Sequence, residues 1–264
     1  MAETCLNCAS QVTENFCGKC GQKKYKRIDR KYIWDELQYT IFHTNKGLLY
    51  SVKSTLKNPG KTAREFIEGN RVNHYKPILM VFVLSGISAF VSFKVLNFKE
   101  VLSTYFAQQH MNSKLMADMM TFMSSYSSIL MLLYIPMFAL ITKIAFRKWG
   151  HNYYEHVVMN AYILSFYTLA SIILVYPIMF FFKDAPGVFF KMTQLSILMV
   201  PPILFWFFRA FYREKPLKSI ILRVLGTLGL TIAFYLVVVI LAGIIGVILS
   251  LSRGPEALEY IKPK

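Results

Sequence analysis

No cysteine follows residue 20, and all four cysteines fall within the first twenty residues. A disulfide framework running through the chain is thereby excluded. Charge is scarce: 17% of the 264 residues are Asp, Glu, Lys or Arg, against about a quarter in soluble domains. Acidic residues are scarcer still, 14 against 30 basic ones, and none lies near the centre of a long apolar run. A proton- or sodium-coupled transporter is expected to bury such carboxylates, so their absence weighs against that class. No G-x-S-x-G, no H-E-x-x-H and no phosphate-binding glycine loop occurs, so no catalytic signature emerges. Residues 1–32 hold no apolar core and no small-residue cleavage site. No cleavable signal peptide is expected, and the first apolar run has to act as the insertion signal.

What is present is apolar: 55% of residues are hydrophobic and 16% aromatic, gathered in long runs. Five runs suffice to cross a bilayer of about 20 helical residues. They are expected at Pro77 to about Phe98, about Ser127 to Phe146, about Val157 to Phe182, about Thr193 to Phe211, and near Ser219 to about Ser252. Pro136, Pro177 and the pair Pro201-Pro202 interrupt three of them. Gly226, Gly229, Gly243 and Gly246 in the fifth permit close helix contact within the chain or in a homo-oligomer.

Net charge is +16, and residues 1–76 carry 14 Lys/Arg against 7 Asp/Glu. With apolar spans next to it, that basic segment points to a membrane surface with anionic headgroups rather than to nucleic acid. Counted span by span, the head and the fourth loop hold the most Lys and Arg. Positive charge marks the cytoplasmic side, so the N-terminus is expected in the cytoplasm and the C-terminus outside.

Cys5-x-x-Cys8 and Cys17-x-x-Cys20 have the spacing of paired zinc knuckles. Each pair places two thiolates on one metal from a tight turn, and two turns complete a tetrahedron. In a reducing compartment a structural zinc is the better reading than a disulfide. A redox pair would need a helix N-terminus beside a sheet, and the segment is too short for one. Four cysteines also leave no open coordination position for catalysis. Gly21 follows the second pair where a permissive backbone is useful, and Ala9 holds the matching place after the first. Phe16 is expected to pack over the site.

Residues 24–76 read as basic amphipathic helices lying in the headgroup plane. Ile33, Trp34, Leu37 and Ile41 recur at helical spacing, and Leu48, Leu49, Val52 and Leu56 repeat the pattern. Asn58-Pro59-Gly60 stops that helix, and Thr62-Ala63-Arg64-Glu65 is a capping box that starts another. Lys61, Arg64, Arg71, His74, Tyr75 and Lys76 are candidates for an anionic lipid or ligand; the alternative is a collar that only fixes topology. This stretch, NKGLLYSVKSTLKNPGKTAREFIEGNRVNHYKPI after the two cysteine pairs, resembles the bacterial family known as domain of unknown function 3667. The residues that carry the resemblance are Pro59, Gly60, Phe66, Gly69, Arg71, Tyr75 and Pro77, with Glu155-His156 as a second match. The resemblance implies a zinc head and a membrane location and supplies no activity.

Asn152 to Asn160 is the most polar helix start. His156 and Asn160 share a helical face and, with Glu155, could hold a metal or a headgroup; alternatively Asn152 and Glu155 cap the helix and the other two bond neighbouring helices. Met116, Met120 and Met123 share a face in the first external loop, suited to Cu(I) or to an amphipathic helix on the membrane.

The expected protein is all-α, with five transmembrane helices, a cytoplasmic zinc ribbon at 1–23, basic membrane-proximal helices at 24–76, spans within 77–252 and a tail at 253–264. The leading function is a non-enzymatic scaffold or regulator of the bacterial inner membrane, whose head and collar contact a cytosolic protein partner or anionic lipid. A channel or transporter for a small or lipid-like solute is the alternative, and a lipid-modifying enzyme using Glu155 and His156 the third.

Overall fold

The computed structural model describes residues 3–5, 8–21, 47–71, 74–253, 260 and 262. The repeat from Ile33 to Ile41 and most of the tail lie outside the described residues. The chain divides into two compact units, Met1–Asn45 and Lys46–Lys264.

In the first unit two short strands, β1 (Glu3–Thr4) and β2 (Gln11–Val12), pair antiparallel with Glu3 opposite Val12. Their apolar interior is little more than Val12, Cys5 and Cys17. Among the described residues so small a core gives little stability by burial, and a metal ion bound by the cysteines could supply more.

The second unit begins with α1 (Gly47–Lys57) and α2 (Pro59–Ile67). Asn58 separates them and caps α2, its side chain accepting from the Lys61 N–H at 2.9 Å. The capping box expected at Thr62 is therefore displaced. Pro59 is set at a first helical position, where its fixed φ and missing N–H carry no penalty. Thr62 lies one turn in, and its hydroxyl donates to the Asn58 carbonyl at 2.8 Å.

Among the described residues five helices are long and apolar enough to cross a membrane: Pro77–Val95, Lys114–Ala145, Tyr153–Phe181, Pro186–Phe211 and Leu217–Ile248. Span 1 is α3 (Pro77–Phe90) continued by a π-helical turn, Val91–Val95. It stops at Asn97, whose φ of +48° is a left-handed conformation that asparagine tolerates. After α4 (Phe98–Gln108), span 2 is the single helix α5 (Lys114–Ala145). The methionine segment is thus the first part of span 2 rather than a separate surface helix. Ser113 caps it at the Met116 N–H, and no glycine or proline intervenes before Pro136.

Span 3 is α6 (Tyr153–Ala170), a π turn (Ser171–Val175) and α7 (Tyr176–Phe181). Pro177 accounts for that turn: it lacks an N–H, and its ring would clash with the carbonyl four residues back in a regular helix. Span 4 is broken into α8 (Pro186–Ser196), a 3₁₀ turn (Ile197–Met199) and α9 (Val200–Phe211), because Pro201 and Pro202 fit only the start of a helix. Span 5 is α10 (Leu217–Arg253).

α6 is central and packs against α1, α2, α3, α5 and α9. Its partners bury Met80, Leu84, Met159, Tyr162, Phe207 and Phe208. The outward faces stay apolar, including Ile232, Phe234, Leu236 and Ile240 on α10, as a lipid-facing bundle requires.

Candidate functional site

Two turns of the same shape build the cysteine cluster. The Ala9 N–H donates to the Cys5 carbonyl at 2.9 Å, and the Gly21 N–H donates to the Cys17 carbonyl at 2.8 Å. Both closing residues are left-handed, Ala9 at φ +57° and Gly21 at φ +74°. The four Sγ atoms lie within 4.8 Å of one another, with Cys8–Cys17 at 3.5 Å and Cys5–Cys20 at 3.6 Å. A tetrahedral ion with metal–sulfur bonds of about 2.3 Å sets S···S near 3.8 Å. The donor set could therefore hold one metal ion, with no sulfur pair having to close by more than about 1 Å.

Ser10, which the cysteine pattern alone does not single out, sits 2.8 Å from Cys8 Sγ and 3.0 Å from Cys17 Sγ. Its hydrogen bond is the main reason the Cys17 thiol is brought down to about 6, followed by bonds from the backbone around Cys20 and Lys19. A ready thiolate is what a metal needs. Phe16 does not cover the cluster; it is 58% exposed. Left-handed alanine is strained by roughly 1–2 kcal/mol. Ala9→Gly is accordingly expected to slow metal loss to a chelator several-fold, measured as release to a chromophoric zinc indicator, whereas Gly18→Ala, at a position without positive φ, leaves the rate unchanged.

The basic residues of α2 are engaged by neighbouring carboxylates. Lys61 Nζ is 3.6 Å from Glu65. Arg64 donates to Glu68 at 2.7 Å, to Glu214 at 2.9 Å and to the Phe211 carbonyl at 3.0 Å, which ties α2 to the end of α9. The Glu214 carboxyl is held below its ordinary range by its own backbone N–H first and by Arg64 next. A recess of about 510 Å³ is lined by Lys61, Arg64, Arg213 and by Glu65, Glu68, Glu214. With three charges of each sign, it offers no net attraction for an anion. Arg71 donates to the Phe66 carbonyl at 3.1 Å and lies 5.6 Å over that ring. Lys76 is exposed beside Pro77.

His74 and Tyr75 turn inward. The Tyr75 N–H donates to Ser51 Oγ of α1 at 2.7 Å. The His74 ring is sealed edge-on to Tyr50 and Phe66, with Glu65 Oε2 4.0 Å from Nε2. Burial pulls its pKa below the usual histidine value, and Glu65 opposes the shift. Tyr162 of α6 stands against the other side of Phe66, and its buried hydroxyl has no partner among the described residues. Ser51, Glu65 as a charge partner, Tyr162 and Glu214 are joined here only by the fold; spacing along the chain carries no signal for them.

At the start of α6 the capping arrangement is present. Asn152 accepts from the Glu155 N–H at 3.0 Å, and Glu155 accepts from the Asn152 N–H at 2.6 Å. His156 and Asn160 both meet Thr142 of α5, at 3.1 and 2.8 Å. His156 is fully buried behind Phe146. Phe146, Trp149, Phe208 and Tyr212 stack over this corner, where Tyr212 bonds His151 at 3.1 Å.

The class of protein is now defined: a chain with five helices able to span a membrane and a separate four-cysteine cluster able to hold a metal ion. Residues 45–89 match the model of a family described as "Protein of unknown function (DUF3667)", and the resemblance holds over that segment. The match takes in α1, α2 and most of α3, and it begins after the cysteine cluster. No curated protein and no solved structure matches the chain.

Proposed function

We propose that this is a bacterial inner-membrane protein acting as a non-enzymatic platform, whose zinc-clamped cytoplasmic head docks a cytosolic protein. The observation that carries the reading is the convergence of all four thiols on one point. Four sulfurs close the coordination shell, so the metal organises a surface instead of reacting. That surface displays Phe16, an exposed aromatic of the kind that anchors protein interfaces. Zinc suits free thiols in a reducing compartment. The concentration of cations in the first 76 residues and after α9 supports N-terminus inside and C-terminus outside.

Anionic lipid falls to Arg71 and Lys76, because Lys61 and Arg64 already have counter-charges. Glu155 is engaged in a helix cap, which favours the platform over a lipid-modifying enzyme.

Co-purification from membranes tests the platform. A partner retained by wild type and lost from both Phe16→Ala and Cys17→Ser, each stably inserted, is the expected result. Identical partner sets in all three proteins would overturn it.

A further inference from the structure

The two π turns face one cavity. Ser92 of the first and Ser171 of the second both line a space of about 260 Å³ between spans 1, 2, 3 and 4. Its walls carry an unusual number of hydroxyls for membrane depth and no Asp, Glu, Lys, Arg or His. π turns recur at functional sites because the extra residue re-aims side chains that a regular helix would place elsewhere.

Most of the hydroxyl protons are already committed, those of Ser92 and Tyr167 being the exceptions. Ser85 donates to the Phe82 carbonyl, Ser171 to Tyr167, Thr193 to Phe189 and Ser196 to Thr193, each three or four residues back in its own helix. What they turn to the cavity is acceptor lone pairs. Ser88 and Tyr176 bond each other at 2.7 Å across spans 1 and 3. A space of this size far exceeds one or two waters at about 30 Å³ each.

A second cavity of about 470 Å³ adjoins the first and shares Phe93, Phe98, Ser127, Met131 and Thr193 with it. Its remaining wall is mostly apolar, chiefly Met116, Met119, Met120 and Met123 with Phe106 and Leu130, and it also takes in Lys99, Tyr134 and Gln194. Methionine adapts to flexible chains. Together the two volumes fall within the about 300–1,000 Å³ of small-molecule sites.

We propose that this joined cavity binds a membrane amphiphile with an uncharged, hydroxyl-bearing head and an apolar chain. The head donates to the serine-lined part between the π turns, and the chain lies along the methionine wall. A phosphate head has no cation to meet in the serine-lined part, since Lys99 lines only the methionine part and donates to Thr121 at 2.9 Å, and an ammonium head finds no carboxylate in either part, so both would be desolvated there without compensation. The proposal stands apart from the zinc head and its docking role, and neither depends on the other.

The test uses full-length protein in nanodiscs and a photoactivatable monoacylglycerol as probe. Labelling is expected to saturate and to map to residues 85–106, 116–134, 167–179 and 190–196, with none on span 5. Unlabelled monoacylglycerol should compete at least tenfold better than the methyl ester of the same acid, which has no donor, and better than lysophosphatidic acid. Ser171→Leu, which fills the polar part, should cut saturable labelling at least fivefold with an unchanged melting temperature. If that variant is unstable, Ser171→Ala removes the acceptor without adding bulk and is judged by at least a threefold loss. Non-saturable labelling, labels spread over all spans, equal competition by the methyl ester, or wild-type labelling in the serine variant would each overturn the proposal. Competition led by lysophosphatidic acid would overturn the uncharged head.

Discussion

Cys17→Ser is expected to empty the head of metal and unfold residues 3–21 while leaving the spans intact. Cys17 is the most buried of the four thiols, at 2% exposure, and it holds both Ser10 and Cys8 within hydrogen-bonding distance. A serine oxygen binds zinc poorly and cannot reach the same distance. Among the described residues little else supports the head: two paired strands of two residues each and one buried valine. Structural zinc contributes about 10–16 kcal/mol of apparent binding energy in small domains, far above any burial term here. Zinc content measured by plasma mass spectrometry should fall from about one per chain to near zero. Hydrogen exchange over β1 and β2 should lose all protection, while α3 and α6 keep theirs. The second unit has its own core and shares no ligand with the metal. Wild-type zinc content in the variant would rule out the four-cysteine clamp. Chelation of the wild type should reproduce the variant and be reversed by added zinc.

Sequence legibility follows how local each feature is. The five spans are readable because twenty consecutive apolar residues have no other use. The Asn152–Glu155 cap is readable because both partners lie within one turn. The cysteine cluster is readable because each knuckle is four residues long. Where two local signals compete, spacing cannot rank them: Asn58 with Pro59 outweighs Thr62 as the start of α2, since the proline presets the first turn. The π turns escape periodicity altogether, because one inserted residue is invisible in composition. The pairing of Arg64 with Glu214 spans 150 positions and depends on how α2 meets α9. Spacing along the chain shows Glu65 and Glu68 four residues from Lys61 and Arg64, but the third counter-charge, Glu214, comes to α2 only through the fold.

That meeting of α2 with α9 is where the second large effect is expected. Gly60→Ala should destabilise the protein by about 1–2 kcal/mol net, even though alanine is the better helix former. A Cβ at residue 60 would stand 2.2 Å from the Phe207 carbonyl oxygen, 2.9 Å from Ala210 Cβ and 3.0 Å from the Phe211 backbone nitrogen. Two of these three are main-chain atoms of α9, so no rotamer change relieves the clash. Overpacking of this kind costs about 1–3 kcal/mol and occasionally more. Opposing it is a propensity gain of about 1 kcal/mol from replacing glycine inside a helix. The clash wins because relief requires α2 to move away as a body. That movement stretches the Arg64 bonds to Phe211 and Glu214 and opens the seal over Thr62 and Ala63, which are 2% and 0% exposed. A drop of roughly 2–8 °C in melting temperature is the scale for a chain of this size. Gly226→Ala supplies the control, because its Cβ meets nothing within 4 Å, so only the propensity gain applies and the protein should melt no lower than wild type. Equal melting temperatures for the two variants would show that α2 is not seated on α9. A selective loss at Gly60 would make the segment matched by the family the element that closes this end of the bundle.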